Sequence, residues 1–236
     1  MPGGKKVCCF VAGTLVETKD GLQPIETLKT GDLVLAKDVV TGEIAYKKIT
    51  DLIRRHDRII WKVVVETEDK QTDVFETTDD HPWWIPAQGW VTTEGLAAGM
   101  DATTADGRTI TITSVTETTR LDATYNITVA DFETYFVGKQ RVLVHNCKDA
   151  ANGVKLQKQL ASESQVSSLS EGGGKVISQP AKQADRIAAK TGSNPNNIQK
   201  VSSDSFTAKD GQKIQTHSFR DASTNELIEP KTIIDD

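Results

Sequence analysis

Residues 10–144 alternate short apolar runs with turn residues, a pattern typical of a domain built from β-strands. The runs include GTLVET, GDLVLAKD, IIWKVVVET, TITITSV, TYNITV, TYFVG and RVLVH. Two Asp-Gly pairs, Asp20-Gly21 and Asp106-Gly107, favour the tight turns of β-hairpins because both residue types tolerate positive φ. Only IETL and TEGLAA predict single helical turns. The pattern therefore predicts a mainly β domain.

The pattern changes in the last ninety residues. The stretch DAANGVKLQKQLASESQVSSLSE predicts a helix, and PAKQADRIAAKTG predicts a second one with Pro180 near its start and Gly192 at its end. The stretches KVIS, NIQKVSSDSFTA, QKIQTHSFRD and ELIEPKTIID predict strands, two of them joined by the turn KDGQ. We therefore expect a smaller α+β domain to follow the β domain.

Composition places the boundary between the two domains. All four tryptophans lie before residue 91. Residues 147–236 contain twelve Lys or Arg and eleven Asp or Glu, which gives a net charge of +1. Because the net charge of the whole chain is −5, residues 1–146 have a net charge of −6. We expect an upstream segment (1–8), a first domain (9–146) and a C-terminal domain (147–236). No stretch is long and apolar enough to predict a membrane span.

The cysteine pattern argues against a structural role for these residues. The chain has three cysteines, Cys8, Cys9 and Cys147. An odd number with one adjacent pair does not predict a disulfide framework, and no CxxC pair or His/Cys cluster predicts a zinc site. We therefore expect no metal and no other cofactor, and we regard the cysteines as candidate reactive thiols.

The tripeptide His145-Asn146-Cys147 ends the last apolar run of the β domain. An asparagine amide can attack its own backbone carbonyl and cut the chain on its C-terminal side, and a neighbouring imidazole can protonate the leaving nitrogen. A cysteine that follows can accept an acyl group as a thioester. On this tripeptide alone, the simpler interpretation is that the residues merely terminate an edge strand.

Two further motifs change that interpretation. Cys9 immediately precedes a strand, and its thiol could attack the carbonyl of Cys8 to form a thioester. Thr78 and His81 form a Thr-x-x-His motif, which could brace and protonate the amide nitrogen in such a shift. Taken separately, Cys9 is a small buried residue and His81 a packed core histidine.

Together, the nucleophile, the Thr-x-x-His and the terminal His-Asn-Cys resemble the Hint (Hedgehog–intein) superfamily. The resemblance is closest to the pretoxin Hint domains of bacterial polymorphic toxins. It covers Cys9 to Asn146 and extends through CFVAGTLVET, GLQPIETLKTGDLVLA, DHPWW and TYFVG. It implies a mainly β Hint horseshoe with pseudo-twofold symmetry that brings the two ends of the domain together, and an autoproteolytic activity.

The resemblance also implies a role for each motif residue. These roles are nucleophile for Cys9, assistance of the acyl shift for Thr78 and His81, penultimate histidine for His145, cyclising residue for Asn146, and first residue of the C-terminal piece for Cys147. Related domains often carry a histidine where this chain has Glu133, which puts the speed of C-terminal cleavage in question. We favour cleavage after Asn146. Intein-like splicing is the alternative, because both Cys9 and Cys147 are present.

A domain behind a pretoxin Hint module would be the toxic payload. Its predicted layout resembles the barnase–EndoU–colicin–RelE group of metal-independent ribonucleases. Such an enzyme needs a proton-transferring group and cations that stabilise charge on phosphorus. The candidates are His217 for proton transfer, Lys200, Lys213, Arg220 and Lys231 for the phosphate, and Ser203, Ser205 or Thr207 for orientation.

Other interpretations of the C-terminal domain stay open. A single histidine on a strand is more often structural than catalytic, and the near-neutral charge does not indicate a general RNA binder. The domain could be a non-enzymatic binding module, or the Hint module could be an inactive scaffold. If the toxin interpretation holds, we expect RNA as substrate and a cognate immunity protein as partner. We also expect delivery as part of a larger secreted toxin, and action in the target cytoplasm.

Overall fold

The computed structural model describes residues 8–86, 88–146, 153–179, 181–208 and 211–235. The chain divides into two compact units, Met1–Gly153 and Val154–Asp236. Strands predominate among the described residues, which confirms the prediction of a mainly β protein. Among the helices described, none is both long and apolar enough to cross a membrane.

The described part of the first unit contains twelve strands and two short 3-10 turns. The strands are β1 (Phe10–Val11), β2 (Leu15–Thr18), β3 (Gly21–Pro24), β4 (Leu33–Lys37), β5 (Ile44–Glu66), β6 (Thr72–Thr77), β7 (Pro82–Ile85), β8 (Gly89–Thr92), β9 (Asp101–Thr103), β10 (Thr109–Val129), β11 (Thr134–Val137) and β12 (Val142–His145). The turns, Ile25–Thr27 and Thr93–Gly95, lie in the two segments predicted as single helical turns.

All twelve strands belong to one antiparallel sheet with the order β8-β7-β12-β11-β2-β4-β5-β6-β1-β10-β9, and β3 pairs with β2. Because β5 also pairs with β10, the strands β5, β6, β1 and β10 close into a ring. The short strand β1 therefore lies between β6 and β10, with Phe10 opposite both Thr77 and Tyr125. This arrangement brings the end of β6 and the last part of β10 to the start of β1, next to the backbone of Cys9.

The last strand of the unit, β12, lies between β11 and β7. Thr134 pairs with His145, and Val144 pairs with Trp83. The residues just before β11 and just after β12 are therefore neighbours. The core beneath this part of the sheet is apolar and aromatic, and its largest buried side chains include Phe10, Phe75, Trp83, Tyr135 and Ile127.

Among its described residues, the second unit contains two α-helices, a short 3-10 turn (Pro195–Asn197) and a five-stranded antiparallel sheet. The elements are α1 (Gly153–Ser170), β13 (Lys175–Ile177), α2 (Ala181–Thr191), β14 (Ile198–Ser202), β15 (Phe206–Thr207), β16 (Lys213–Asp221) and β17 (Leu227–Asp235). The strand β16 is central, with β14 and β15 along one edge and β17 along the other. Gly192 ends α2 with a φ of 74°, a left-handed conformation that suits a glycine.

The two helices of this unit contact opposite faces of its sheet. Gln165 of α1 accepts a hydrogen bond from the Thr216 hydroxyl, whereas Ile187 and Ala188 of α2 belong to the apolar cluster against which Phe219 packs. Thr216 and Phe219 are three residues apart on β16, and side chains alternate between faces along a strand. A cavity lies on the face next to α2, between that helix and the strands β14, β16 and β17.

Candidate active site

The backbone of Cys9 is fixed from two directions. Its amide N–H donates to Thr78 Oγ1 (3.0 Å), and its carbonyl oxygen accepts from the Thr77 hydroxyl (2.8 Å) and the Thr78 amide (3.0 Å). Cys9 is fully buried and its thiol is free. The Thr78 hydroxyl therefore lies directly on the nitrogen of the Cys8–Cys9 peptide bond.

The carbonyl side of the same peptide bond has its own donor. Asn126 Nδ2 donates to the Cys8 carbonyl oxygen (2.8 Å), and the Tyr135 hydroxyl donates to Asn126 Oδ1 (2.7 Å). Asn126 is almost fully buried on β10. A preorganised amide donor on a carbonyl that a thiol can attack is suited to stabilise the resulting oxyanion. Sequence reasoning missed both residues, and the signal was a polar residue inside the apolar run TYNITV.

The thiol of Cys9 is not ionised in this environment. Burial raises its pKa to about 12; a hydrogen bond with Thr124 lowers the pKa, and the charge of Asp80 raises it. An attack by this thiol therefore needs a base that takes its proton. Cys8, the preceding residue, is disulfide-bonded, which the sequence did not predict.

His81 is a neutral imidazole in an aromatic pocket. It is fully buried, with its ring centroid 4.1 Å from that of Phe10 and 6.1 Å from that of Trp83. Burial, and then the charge of His145, hold the pKa of His81 well below its ordinary range. Neither ring nitrogen has a hydrogen-bond partner among the described residues. The ring can therefore exchange a proton with a reacting group without first breaking an existing bond.

Thr78 is itself held by a charged pair. Its hydroxyl donates to Asp80 Oδ1 (2.7 Å), and the Arg58 guanidinium donates to Asp79 (3.0 Å) and Asp80 (3.4 Å). Because the Thr78 proton points at Asp80, a lone pair of Oγ1 faces the amide of Cys9. Sequence reasoning did not identify Arg58, which lies 20 residues before Thr78 on the long strand β5.

The second candidate group lies at the end of β12. His145 and Asn146 are both buried. His145 Nδ1 donates to the backbone carbonyl oxygen of Asn146. The Asn146 amide N–H donates to the Glu133 carbonyl oxygen (2.8 Å). The imidazole therefore contacts the carbonyl of the peptide bond that follows Asn146.

The side chain of Asn146 is anchored by backbone groups. Its hydrogen-bonding surroundings assign Nδ2 to the Glu133 carbonyl oxygen (2.8 Å) and Oδ1 to the Val129 amide (2.6 Å). Cys147, the expected acceptor residue, lies outside the described residues.

Glu133 stands beside this pair, at the position where related domains often carry histidine. Its backbone is left-handed, with a φ of 55°. A carboxylate oxygen of Glu133 and a ring nitrogen of His145 lie within 4.8 Å of each other. The carboxylate therefore lies next to the imidazole that contacts the Asn146 carbonyl oxygen.

The eight residues proposed for a site in the second unit do not form one cluster. Lys200, His217 and Lys231 line a common cavity of about 720 Å³. Ser203 is buried, donates to the Asp204 carbonyl oxygen and accepts from the Thr216 amide. Thr207 is exposed on β15 and does not line the cavity.

Arg220, which was proposed for the phosphate, is not among the residues that line that cavity. Its side chain is 8% exposed, and its guanidinium donates to the carbonyl oxygens of Gly173 (2.9 Å) and Leu169 (3.3 Å). Three positions separate it from His217 on β16, so the two side chains emerge on opposite faces. Arg220 therefore ties α1 and its following loop to the sheet.

Known proteins resemble the first unit. Residues 15–147 match the pretoxin HINT domain family. The solution structure of a bacterial intein-like domain from Clostridium thermocellum is 32% identical. That alignment covers 58% of this chain and 98% of that domain, with a TM-score of 0.54.

Two inteins share the fold at 15% identity. The Ssp DnaB mini-intein has a TM-score of 0.52, with 62% of this chain and 98% of that chain covered. A DnaB intein from Synechocystis sp. has a TM-score of 0.51, with 60% and 99% covered. No curated protein matches the chain. The family match spans more than half of the chain, so this protein belongs to the pretoxin HINT domain family and its first unit is an autoprocessing domain of the Hint/intein type.

Proposed function

We propose that the chain cuts itself between Asn146 and Cys147 by cyclisation of Asn146, and so releases its last ninety residues. The observation that carries this proposal is the hydrogen bond from His145 Nδ1 to the Asn146 carbonyl oxygen. Cyclisation develops negative charge on that oxygen as the side-chain amide attacks its carbon. A donor already in position stabilises that charge without reorganisation.

The remaining requirements of the reaction are a confined nucleophile and a proton for the leaving nitrogen. The Asn146 side chain is buried and anchored to the backbone at Glu133 and Val129, which limits the orientations that its amide samples. One proton must therefore move from the Asn146 side-chain nitrogen, as it attacks, to the leaving nitrogen of Cys147. We assign Glu133 to this transfer, because its carboxylate lies beside the pair His145 and Asn146.

Intein-like splicing is the second candidate, and the site around Cys9 favours it. Thr78 on the amide nitrogen and Asn126 on the carbonyl oxygen hold the two ends of one peptide bond. This arrangement supports attack by the Cys9 thiol with His81 as the proton carrier. Transfer of the acyl group to Cys147 before cyclisation would join residues 1–8 to residues 147–236.

We further propose that the released piece is the payload of a bacterial polymorphic toxin. The pretoxin family of the first unit supports this assignment. In this proposal the payload is a metal-independent ribonuclease that is delivered to a target cell, acts in its cytoplasm and is neutralised by a cognate immunity protein. The cavity shared by Lys200 and His217 is the observation that favours a ribonuclease over a binding module.

Intact mass spectrometry of the expressed chain tests the proposed cleavage. Under reducing conditions, which open the disulfide of Cys8, the expected products are residues 1–146 and 147–236, and the Asn146→Ala variant should give the whole chain alone. A product that joins residues 1–8 to 147–236 would establish splicing instead. Cleavage that persists in Asn146→Ala would refute cyclisation of this residue.

A further inference from the structure

Four residues on one face of the second unit's sheet form a surface beside α2 that we call the shelf. Lys200 pairs with Phe219 across β14 and β16, and His217 pairs with Lys231 across β16 and β17. Directly opposed residues, and residues two apart on one strand, share a face. The side chains of all four therefore emerge on one face, and together with α2 they enclose the cavity of about 720 Å³.

The charges around this cavity favour an anion. Its described lining contains three cations, Arg186, Lys200 and Lys231, and one carboxylate, Glu229. With His217 counted as neutral, three positive charges against one negative charge leave +2. A cleft with one dominant sign of charge concentrates oppositely charged ligands, even in a unit of near-neutral net charge.

Glu229 acts within this set as an anchor for the cations. The strand β17 carries a bulge there, because Glu229 and Pro230 together face Ser218, and Glu229 is left-handed with a φ of 53°. Its carboxylate accepts from Arg186 (2.8 and 3.2 Å) and Lys190 (2.7 Å). Hydrogen bonds from Arg186, and then from Lys190, lower the pKa of Glu229 to about 2, so it stays ionised and makes a weak base.

The wall formed by α2 also offers an acceptor without a donor. Gln183 Oε1 is buried and has no hydrogen-bond partner among the described residues. A buried amide oxygen without a hydrogen-bond donor lowers the stability of the folded protein. Such an oxygen is explained when a bound ligand supplies the donor. Nucleotides supply such donors through their sugar hydroxyls and base amines. The volume of the cavity lies in the range of small-molecule sites.

We propose that this shelf binds single-stranded RNA and cleaves its phosphodiester, with Lys200 and Arg186 on the phosphate and with His217 and Lys231 as the proton-transfer pair. This inference rests on the proposed ribonuclease function and names the site for it. RNA is favoured over DNA because an imidazole can activate the substrate's own 2′-hydroxyl, a nucleophile that DNA lacks.

The chemical step balances with these groups alone. His217 accepts the proton of the 2′-hydroxyl while the 2′-oxygen forms a bond to phosphorus. The bond from phosphorus to the 5′-oxygen breaks, and the Lys231 ammonium gives a proton to that oxygen. The products are a 2′,3′-cyclic phosphate and a free 5′-hydroxyl. Lys200 and Arg186 offset the charge that accumulates on the phosphoryl oxygens.

Fluorescence anisotropy with a 2′-O-methylated RNA oligonucleotide, which cannot be cleaved by this route, measures binding separately from chemistry. The protein is the full-length chain carrying Asn146→Ala, so that self-cleavage does not alter the sample. We expect Lys200→Ala to weaken binding about tenfold and to reduce the salt dependence by about one released counterion. Lys175→Ala, which changes an exposed lysine on β13 of the same sheet outside the cavity, is the matched control and should bind as the parent does.

Cleavage of the unmodified oligonucleotide completes the test. We expect a cyclic phosphate product, and we expect His217→Gln to lower the rate about 10²- to 10⁴-fold while binding is kept. Cleavage that survives both His217→Gln and Lys200→Ala would leave the ribonuclease function standing and overturn this site. If the parent neither binds nor cleaves RNA, both this site and the proposed ribonuclease function are wrong. The separate proposal that the chain is cut after Asn146 would still stand.

Discussion

His145 Nδ1 donates a hydrogen bond to the backbone carbonyl oxygen of Asn146, the residue that follows it in the chain. The contact is buried at the end of β12, where His145 pairs with Thr134 and the Trp90 ring lies edge-on to the imidazole at 4.9 Å. The imidazole is therefore aligned with the carbonyl oxygen of one particular peptide bond. In the proposed cyclisation of Asn146, this carbonyl oxygen is the atom on which negative charge develops.

Removal of that donor should slow release of the C-terminal piece. We expect His145→Ala to reduce the rate about 10²- to 10³-fold, the usual cost of losing one oxyanion donor. A gel time course of the fragment 147–236 measures this rate. His56→Ala, which alters an exposed histidine of β5, is the control and should release the fragment at the parent rate. Release by His145→Ala at the parent rate would show that the hydrogen bond has no part in the reaction.

Asn126 should matter for the other end of the domain. Hydroxylamine traps a thioester at Cys9 and so releases residues 1–8, which mass spectrometry detects once Cys8 has been reduced. We expect Asn126→Ala to lower this rate about 10²-fold or more, because the Cys8 carbonyl loses its donor. Tyr135→Phe, which removes one of two donors to Asn126 Oδ1 and leaves the Ile127 amide in place, should have a smaller effect. An unchanged rate of hydroxylamine cleavage in Asn126→Ala would remove the oxyanion role.

The buried neutral His81 predicts a loss of stability in mild acid. Its pKa is lowered in the folded protein, whereas in the unfolded chain the imidazole takes up a proton near its ordinary pKa of 6.5. The stabilisation is therefore complete above pH 6.5 and declines as the pH falls, by at most about 1.4 kcal/mol per pH unit for one proton.

Thermal unfolding between pH 7 and pH 5 measures this effect in the Asn146→Ala background. The control is His81→Phe, which keeps a ring against Phe10 but cannot titrate. We expect the midpoint of the parent to fall more steeply with acid than that of His81→Phe. Parallel pH profiles would mean that His81 binds protons equally in the folded and the unfolded protein, which would contradict this prediction.

Arg220 should contribute to stability and not to RNA binding. Arg220→Met leaves the Gly173 carbonyl oxygen without this donor and the Leu169 carbonyl oxygen with only the Gly172 amide, so we expect the second unit to lose about 1–3 kcal/mol. Urea unfolding measures this loss, and RNA anisotropy below the transition should be unchanged. Unaltered stability together with lost RNA binding would return Arg220 to the phosphate site.

The β architecture could be predicted because short apolar runs and turn residues indicate it locally along the chain. The pair Asp20-Gly21 lies at the turn of the hairpin β2–β3, where Thr18 faces Gly21, and Asp106-Gly107 lies between β9 and β10. By contrast, β5 runs for 23 residues through a charged segment that the apolar pattern did not mark as a strand. Its ladder with β10 supplies the hydrogen bonds there, and this partner lies some sixty residues away.

The candidate site shows the same division. The motif residues Cys9, His81 and Asn146 could be proposed from their types and order. The contacts of Asn126 with Cys8, and of Arg58 with Asp80, depend on the ring formed by β5, β6, β1 and β10, which no local pattern specifies. In the second unit, His217 and Arg220 lie three positions apart on β16, so their side chains emerge on opposite faces of the sheet. The registers with β14 and β17 then place Lys200 and Lys231 on the face of His217.

The chemical state of the C-terminus of the fragment 1–146 tests the central claim most directly. Cyclisation leaves Asn146 as an aminosuccinimide, so the freshly released fragment should be one water molecule lighter than the same fragment ending in an ordinary asparagine carboxylate. Intact mass spectrometry soon after release resolves the two, before the ring hydrolyses. We predict the lighter species. A fragment that carries the full carboxylate from the earliest time point would show that water, and not the Asn146 side chain, cuts the chain.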